Sequence, residues 1–105
     1  MEPLLVLTHC PDEETANRIA LAAVEARLAA CVSIQPCVQS IYRWQGKVES
    51  AVEAPLLMKT TSVAYAALEA LIRENHPYDV PEIIALPITR GLPAYLNWLA
   101  DETIE

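Results

Sequence analysis

Imidazole, thiol and carboxylate groups gather at two places in this chain of 105 residues. His9 and Cys10 follow the short apolar run 4–7. His76 precedes Pro77, with Asp79 and Glu82 a few residues on. Imidazole with thiolate suits soft or borderline ions such as copper or zinc, whereas carboxylates are harder donors. A metal site drawn from His76, Cys10 and His9 is therefore the sharpest chemical expectation, with copper or another divalent cation as occupant. No short motif ties these residues together, so they must converge in space or across subunits. A plainer reading stands beside it. A histidine before proline can satisfy the last carbonyls of a helix, and free cysteines usually behave as small buried apolar residues.

Catalysis has less support. A Cys10–His76 dyad lacks any accompanying oxyanion donor. Gly46 and Gly91 are the only glycines, so there is no glycine-rich phosphate loop, and neither GxSxG nor HExxH occurs. The expectation is a protein that is not an enzyme. Lys59 follows the apolar residues 56–58, where it either binds an anion in a cleft or snorkels. Tyr78, Tyr95, Trp44 and Trp98 read as packing and interface residues.

Several elements have to position these groups. The run 4–7 suits a central strand buried on both faces. Asp12 is a good N-cap, with Glu13 and Glu14 complementing the helix dipole. Ala16, Ile19, Ala20, Ala23 and Val24 then recur at helical spacing. Residues 31–61 read as one long β-hairpin. Val38, Ser40, Tyr42 and Trp44 share one face, and Gln39, Ile41, Arg43 and Gln45 the other. Pro36 predicts a bulge, break or edge, and Pro55 something similar on the return arm. A two-residue loop at Gln45–Gly46 opposes Trp44 to Lys47 and Tyr42 to Glu49. A three-residue loop keeps apolar with apolar, so the two-residue turn is disfavoured. Ser62 is the expected N-cap of a second helix that faces Ala64, Leu68, Leu71 and Ile72 inward and stops before Pro77. Residues 82–86 read as another buried strand. Gly91 and Pro93 open a short helix bearing Tyr95, Trp98 and Leu99.

This β-α-β-β-α-β order is the ferredoxin-like arrangement, an α+β fold with two helices on one face of an antiparallel sheet. Residues 1–105 form one domain. Each hairpin arm of about 14 residues spans about 45 Å at ~3.3 Å per residue. A domain of this size is only about 33 Å across. The tip should overhang, exposing Tyr42, Trp44 and Val48, a hazard unless something pairs with it. The bare sheet face and the 53% apolar content point the same way, to an assembly of copies. A net charge of −7 argues against nucleic acid and anionic membrane as partners. No apolar run approaches the ~18 residues of a membrane-spanning helix. The N-terminus lacks the basic region of a signal peptide. Cys10, Cys31 and Cys37 form no CxxC pair, and along one strand Cys31 and Cys37 stand about 20 Å apart. A reducing compartment, the cytoplasm, is expected.

The chain closely resembles the CutA family, the divalent-cation tolerance proteins. The resemblance rests on CPDEETA, EARLAACVSIQP, SIYRWQGKVE, LLMKTT, NHPYDVPEIIALPI and GLPAYLNWL, which together cover nearly the whole chain. It implies a ferredoxin-like fold assembled as a tight homotrimer, similar in architecture to PII-type signalling trimers, with the long hairpins joining neighbouring sheets; the overhanging tip and the aromatic residues read above then make Tyr42, Trp44, Val48 and Trp98 the expected interface. It implies a cytoplasmic role in tolerance of copper and other divalent cations. The copper ligands ascribed to some members fall on Thr8, Asn75 and His76, of which only His76 keeps its residue type; His9 and Cys10 lie close by. The likeness to PII proteins implies an alternative, a small-molecule cleft between subunits near Lys59, Tyr78 and Glu82.

Overall fold

The computed structural model describes residues 2–104. Strand β1 (Pro3–Cys10) leads into helix α1 (Glu13–Glu25). The hairpin follows as β2 (Cys31–Ile34), β3 (Val38–Trp44) and β4 (Lys47–Thr61). Helix α2 (Tyr65–Asn75), strand β5 (Ile83–Pro87) and helix α3 (Pro93–Asp101) complete the chain. The antiparallel sheet runs β2-β4-β1-β5, and β3 pairs with the outer half of β4. This is the expected ferredoxin-like α+β order. The protein measures 44 × 25 × 23 Å, elongated along the hairpin.

Alternation on β1 and β4 builds the core. Val6 and Cys10 on β1, with Ala54, Leu56 and Met58 on β4, meet Ala16, Ile19 and Ala23 of α1 and Leu68 and Ile72 of α2. Small residues on α1 let it lie close to the sheet. Asp12 caps α1 by accepting a 2.7 Å hydrogen bond from the Thr15 N–H. The helix ends with Arg27 in the left-handed region, φ 59°. From there the Arg27 guanidinium reaches the Asp101 and Glu102 carbonyls at the end of α3. The opposite sheet face, with Leu5, Leu7 and His9, is only half-buried. Helix α3 lies against β4 and β1.

Four expectations are corrected. The hairpin closes on the two-residue turn Gln45–Gly46, with Trp44 opposite Lys47 and Tyr42 opposite Glu49. Both turn residues have positive φ, 49° and 80°. Such a turn matches the right-handed twist of the strands, whereas matching apolar partners matters only where the face is packed. Pro55 does not break β4. It pairs with His9, and its carbonyl accepts from the Gln35 N–H, so its missing donor falls on the edge that Pro36 already interrupts. Helix α2 begins at Tyr65 rather than after Ser62, because Thr61 supplies the oxygen that meets the Ala64 N–H. Strand β5 is an edge strand, with β1 its only sheet partner among the described residues, and Ile84 and Leu86 are exposed on the half-buried sheet face of Leu7 and Leu5, which they oppose.

Candidate functional site

Four segments distant in sequence meet where the hairpin leaves the sheet. Strand β1 brings His9, the root of β4 brings Glu53, β3 brings Ser40 and Tyr42, and the connector after α2 brings Tyr78 and Glu82. Cross-strand pairing explains the first two. His9 opposes Pro55, and Glu53, two residues further along β4, points to the same face. His9 Nδ1–H donates to Glu53 Oε1 at 3.3 Å, with Ser40 Oγ 3.5 Å from the same nitrogen. His9 Nε2 is left facing the cleft, 3.8 Å from Glu82 Oε2. Tyr78 Oη–H donates to the other Glu53 oxygen at 3.3 Å. Glu53 is only 8% exposed. Burial, and then the neighbouring Glu53 carboxylate, hold the Tyr78 phenol above its usual pKa.

His76 holds the connector in place. Its position before Pro77 forces an extended backbone, φ −94° and ψ 133°, which ends α2. The buried ring then bridges main chains. Nε2–H donates to the His9 carbonyl at 2.6 Å, and the Tyr78 N–H donates to Nδ1 at 3.2 Å. The rings of His76 and Tyr78 lie 4.7 Å apart. Both ring nitrogens are thus engaged by backbone.

The remaining predicted residues are dispersed. Cys10 follows His9 in β1 and so faces the other side of the sheet, in the core. Burial, with Asp12 nearby, pushes its thiol pKa up to about 11. Lys59 is four residues along β4 from Pro55, hydrogen-bonded to Ser33 Oγ at 3.2 Å and apart from the cleft. Tyr42, Trp44, Val48 and Trp98 are all exposed in the single chain. Sequence reasoning passed over Glu53; the one signal for it is a lone carboxylate beside the apolar stretch 54–58 of an otherwise core-forming strand.

The positions that the family resemblance makes copper ligands do not fit a metal here. The Thr8 hydroxyl is buried without a partner on the core-facing side of β1. The Asn75 amide donates to the Leu71 carbonyl at 2.8 Å, and His76 has no free nitrogen. Among the described residues no three His, Cys, Asp or Glu side chains are grouped to hold a metal ion.

Around His9 and Glu53 opens a cleft of about 690 Å³, walled by Tyr42 and Trp44 of the hairpin and by Tyr78, Asp79 and Glu82 of the connector. Fold and site together define a class: a ferredoxin-like domain with an acidic, aromatic-walled cleft at the root of a protruding hairpin. The sequence model of the CutA1 divalent ion tolerance protein matches residues 4–102, and the chain belongs to that family. The divalent-cation tolerance protein CutA of Thermus thermophilus is 52% identical over 103 residues, covering 98% of this chain and 99% of that one. Mouse protein CutA is 48% identical over 94 residues, 90% of this chain, which spans only 53% of the mouse protein. The crystal structure of CutA1 from a psychrotrophic Shewanella superposes with a TM-score of 0.96 at 46% identity, covering 99% of this chain and 97% of that one. The resemblance read from the sequence motifs is confirmed, and family membership ties the chain to divalent-cation tolerance.

Proposed function

We propose that the protein is a homotrimeric, cytoplasmic binding protein that contributes to tolerance of divalent cations, copper among them, by taking the cation at the hairpin cleft. One observation carries this reading. His9 turns Nε2 into the cleft towards Glu82 while Glu53 holds Nδ1. A carboxylate on the far nitrogen is how metal-binding imidazoles are oriented and made more basic. A single chain brings one nitrogen and one carboxylate to that point, so a neighbouring copy has to complete the coordination. The exposed Ile41, Val48 and Val52 on the hairpin and the uncovered β5 edge support assembly. Three free thiols, Cys37 among them exposed, support a reducing compartment. The reading is of binding rather than catalysis: the Cys10 thiol faces the core, away from the cleft.

Calorimetric titration of Cu(II) into metal-stripped protein tests it, alongside His9→Ala and His76→Gln. The expected result is about one ion per chain, lost in His9→Ala and kept in His76→Gln. Weak binding that is equal in all three overturns the assignment.

A second reading is favoured by the cleft itself. Its volume lies within the ~300–1,000 Å³ of small-molecule sites. On this reading the protein is a PII-like signalling or scaffold trimer that holds a small ligand where subunits meet.

A further inference from the structure

The lining of the hairpin cleft is uneven in its chemistry. It includes Glu49, Glu53, Asp79 and Glu82 but no lysine or arginine. Three aromatic rings, Tyr42, Trp44 and Tyr78, stand among these carboxylates. The two-residue turn puts Tyr42 and Trp44 on the face they share with Glu49 and Glu53, so rings and carboxylates look into one space; Lys47, opposite Trp44, shares that face at the tip but stands outside the cleft lining. Glu53 is more than nine-tenths buried, and its partners are an imidazole and a phenol, not a fixed ammonium or guanidinium.

A bare divalent ion uses little of this. In a single chain it meets one nitrogen and one carboxylate, and the rest of its ligands have to come from a neighbouring copy. It gains nothing from about 690 Å³ of room. An organic cation uses all of it. Its ammonium pairs with carboxylates in a partly dehydrated site, and its body lies against ring faces that attract positive charge.

We infer that the cleft binds a small organic cation of the aliphatic di- or polyamine class, with an ammonium donating to His9 Nε2 and Glu82, where Glu53 holds the ring from behind, and methylenes against Tyr42 and Trp44. This rests on the second reading above, that the cleft is a ligand site, and adds the charge and class of the ligand. It also gives the hairpin aromatics a task beyond assembly.

The test is calorimetric titration of the full chain at low ionic strength with 1,4-diaminobutane and with its neutral counterpart 1,4-butanediol. The diamine binds and the diol does not. Glu82→Gln weakens the diamine about tenfold, as expected for losing a charge-assisted hydrogen bond. Trp44→Leu weakens it several-fold, to about tenfold. Glu25→Gln, which removes one exposed carboxylate of α1 outside the cleft, leaves it unchanged. If neither compound binds, the ligand-cleft reading itself fails. If the diol binds as well as the diamine, the cleft stands and the cationic assignment is overturned. If Glu25→Gln costs as much as Glu82→Gln, the attraction belongs to the net charge of −7 and the inference is likewise overturned.

Discussion

Replacing His76 by alanine removes two hydrogen bonds with one side chain. The His9 carbonyl loses its 2.6 Å donor, and the Tyr78 N–H loses its 3.2 Å acceptor. The imidazole is 7% exposed, so neither group gains full access to water. A buried polar group left without a partner costs about 1–3 kcal/mol. Two of them, partly relieved by water entering the space the ring leaves, amount to about 2–4 kcal/mol. That is a large share of the ~5–15 kcal/mol that stabilises a domain. Urea unfolding followed by circular dichroism measures it, at one fixed protein concentration because the proposed assembly would make stability concentration-dependent. With a slope of about 2 kcal/mol per molar, mid-range for a small domain, the midpoint falls by about 1–2 M. His76→Gln, which keeps a donor and an acceptor on a flexible chain, recovers part of the loss. A midpoint for His76→Ala within ~0.3 M of the parent refutes the argument, because the ring then bears no load and its nitrogens are free for other work.

Further outcomes are expected. Cys10, buried and with its thiol pKa raised from 9.0 to about 11, resists alkylation at pH 8 while exposed Cys37 reacts, which peptide mass spectrometry resolves. Because the folded pKa is the higher one, the stability this thiol contributes is intact below pH 9.0 and is lost as pH climbs through about 11, so unfolding midpoints should fall across that window. Gln45→Asn gives the turn its preferred Asn-Gly pair and raises stability by about 0.5 kcal/mol, whereas Gly46→Ala costs about 1 kcal/mol even though the added Cβ meets nothing within 4 Å. Trp44→Ala weakens assembly, and truncating a Trp that assembly has buried costs about 3–5 kcal/mol. Sedimentation at low concentration reads the effect, and an unchanged species clears the hairpin tip of the role.

What was legible in the sequence was whatever local pattern decides. The alternation through 38–44, the Asp12 cap, the break at Pro36 and the stop before Pro77 all stand where the residue types put them. Two of the misreadings, the turn and the burial of β5, share one cause: each assumed a packed surface. Opposing apolar residues set a register only when a core rewards it, and the hairpin tip has none in the single chain. Residues 82–86 look like a core strand, yet β5 has a sheet neighbour on one side only. The site was harder still. His9 and Glu53 are 44 positions apart, and their meeting depends on the pairing of β1 with β4. The pairing of His9 and Cys10 as joint ligands ignored the strand's own geometry, since neighbours in a strand face opposite sides.

The break at Pro36 and the turn at Gln45–Gly46 are two ends of one decision. Ile34 opposes Leu56 and Val38 opposes Glu53, so residues 35–37 face only 54–55, and the outgoing arm carries one extra residue. Without that bulge the register set by β2 would run on unchanged. Cys37 would oppose Glu53, Ile41 would oppose Glu49, and the hairpin would close on the three residues 44–46. Ile41 and Arg43 would then share a face with Glu53, and Tyr42 and Trp44 would turn away from it. A proline that cannot donate to the ladder and a glycine that accepts positive φ thus hold one register between them. That register is what places two aromatic rings beside the buried carboxylate and His9. The cleft's chemistry is fixed by two backbone residues that never touch its contents.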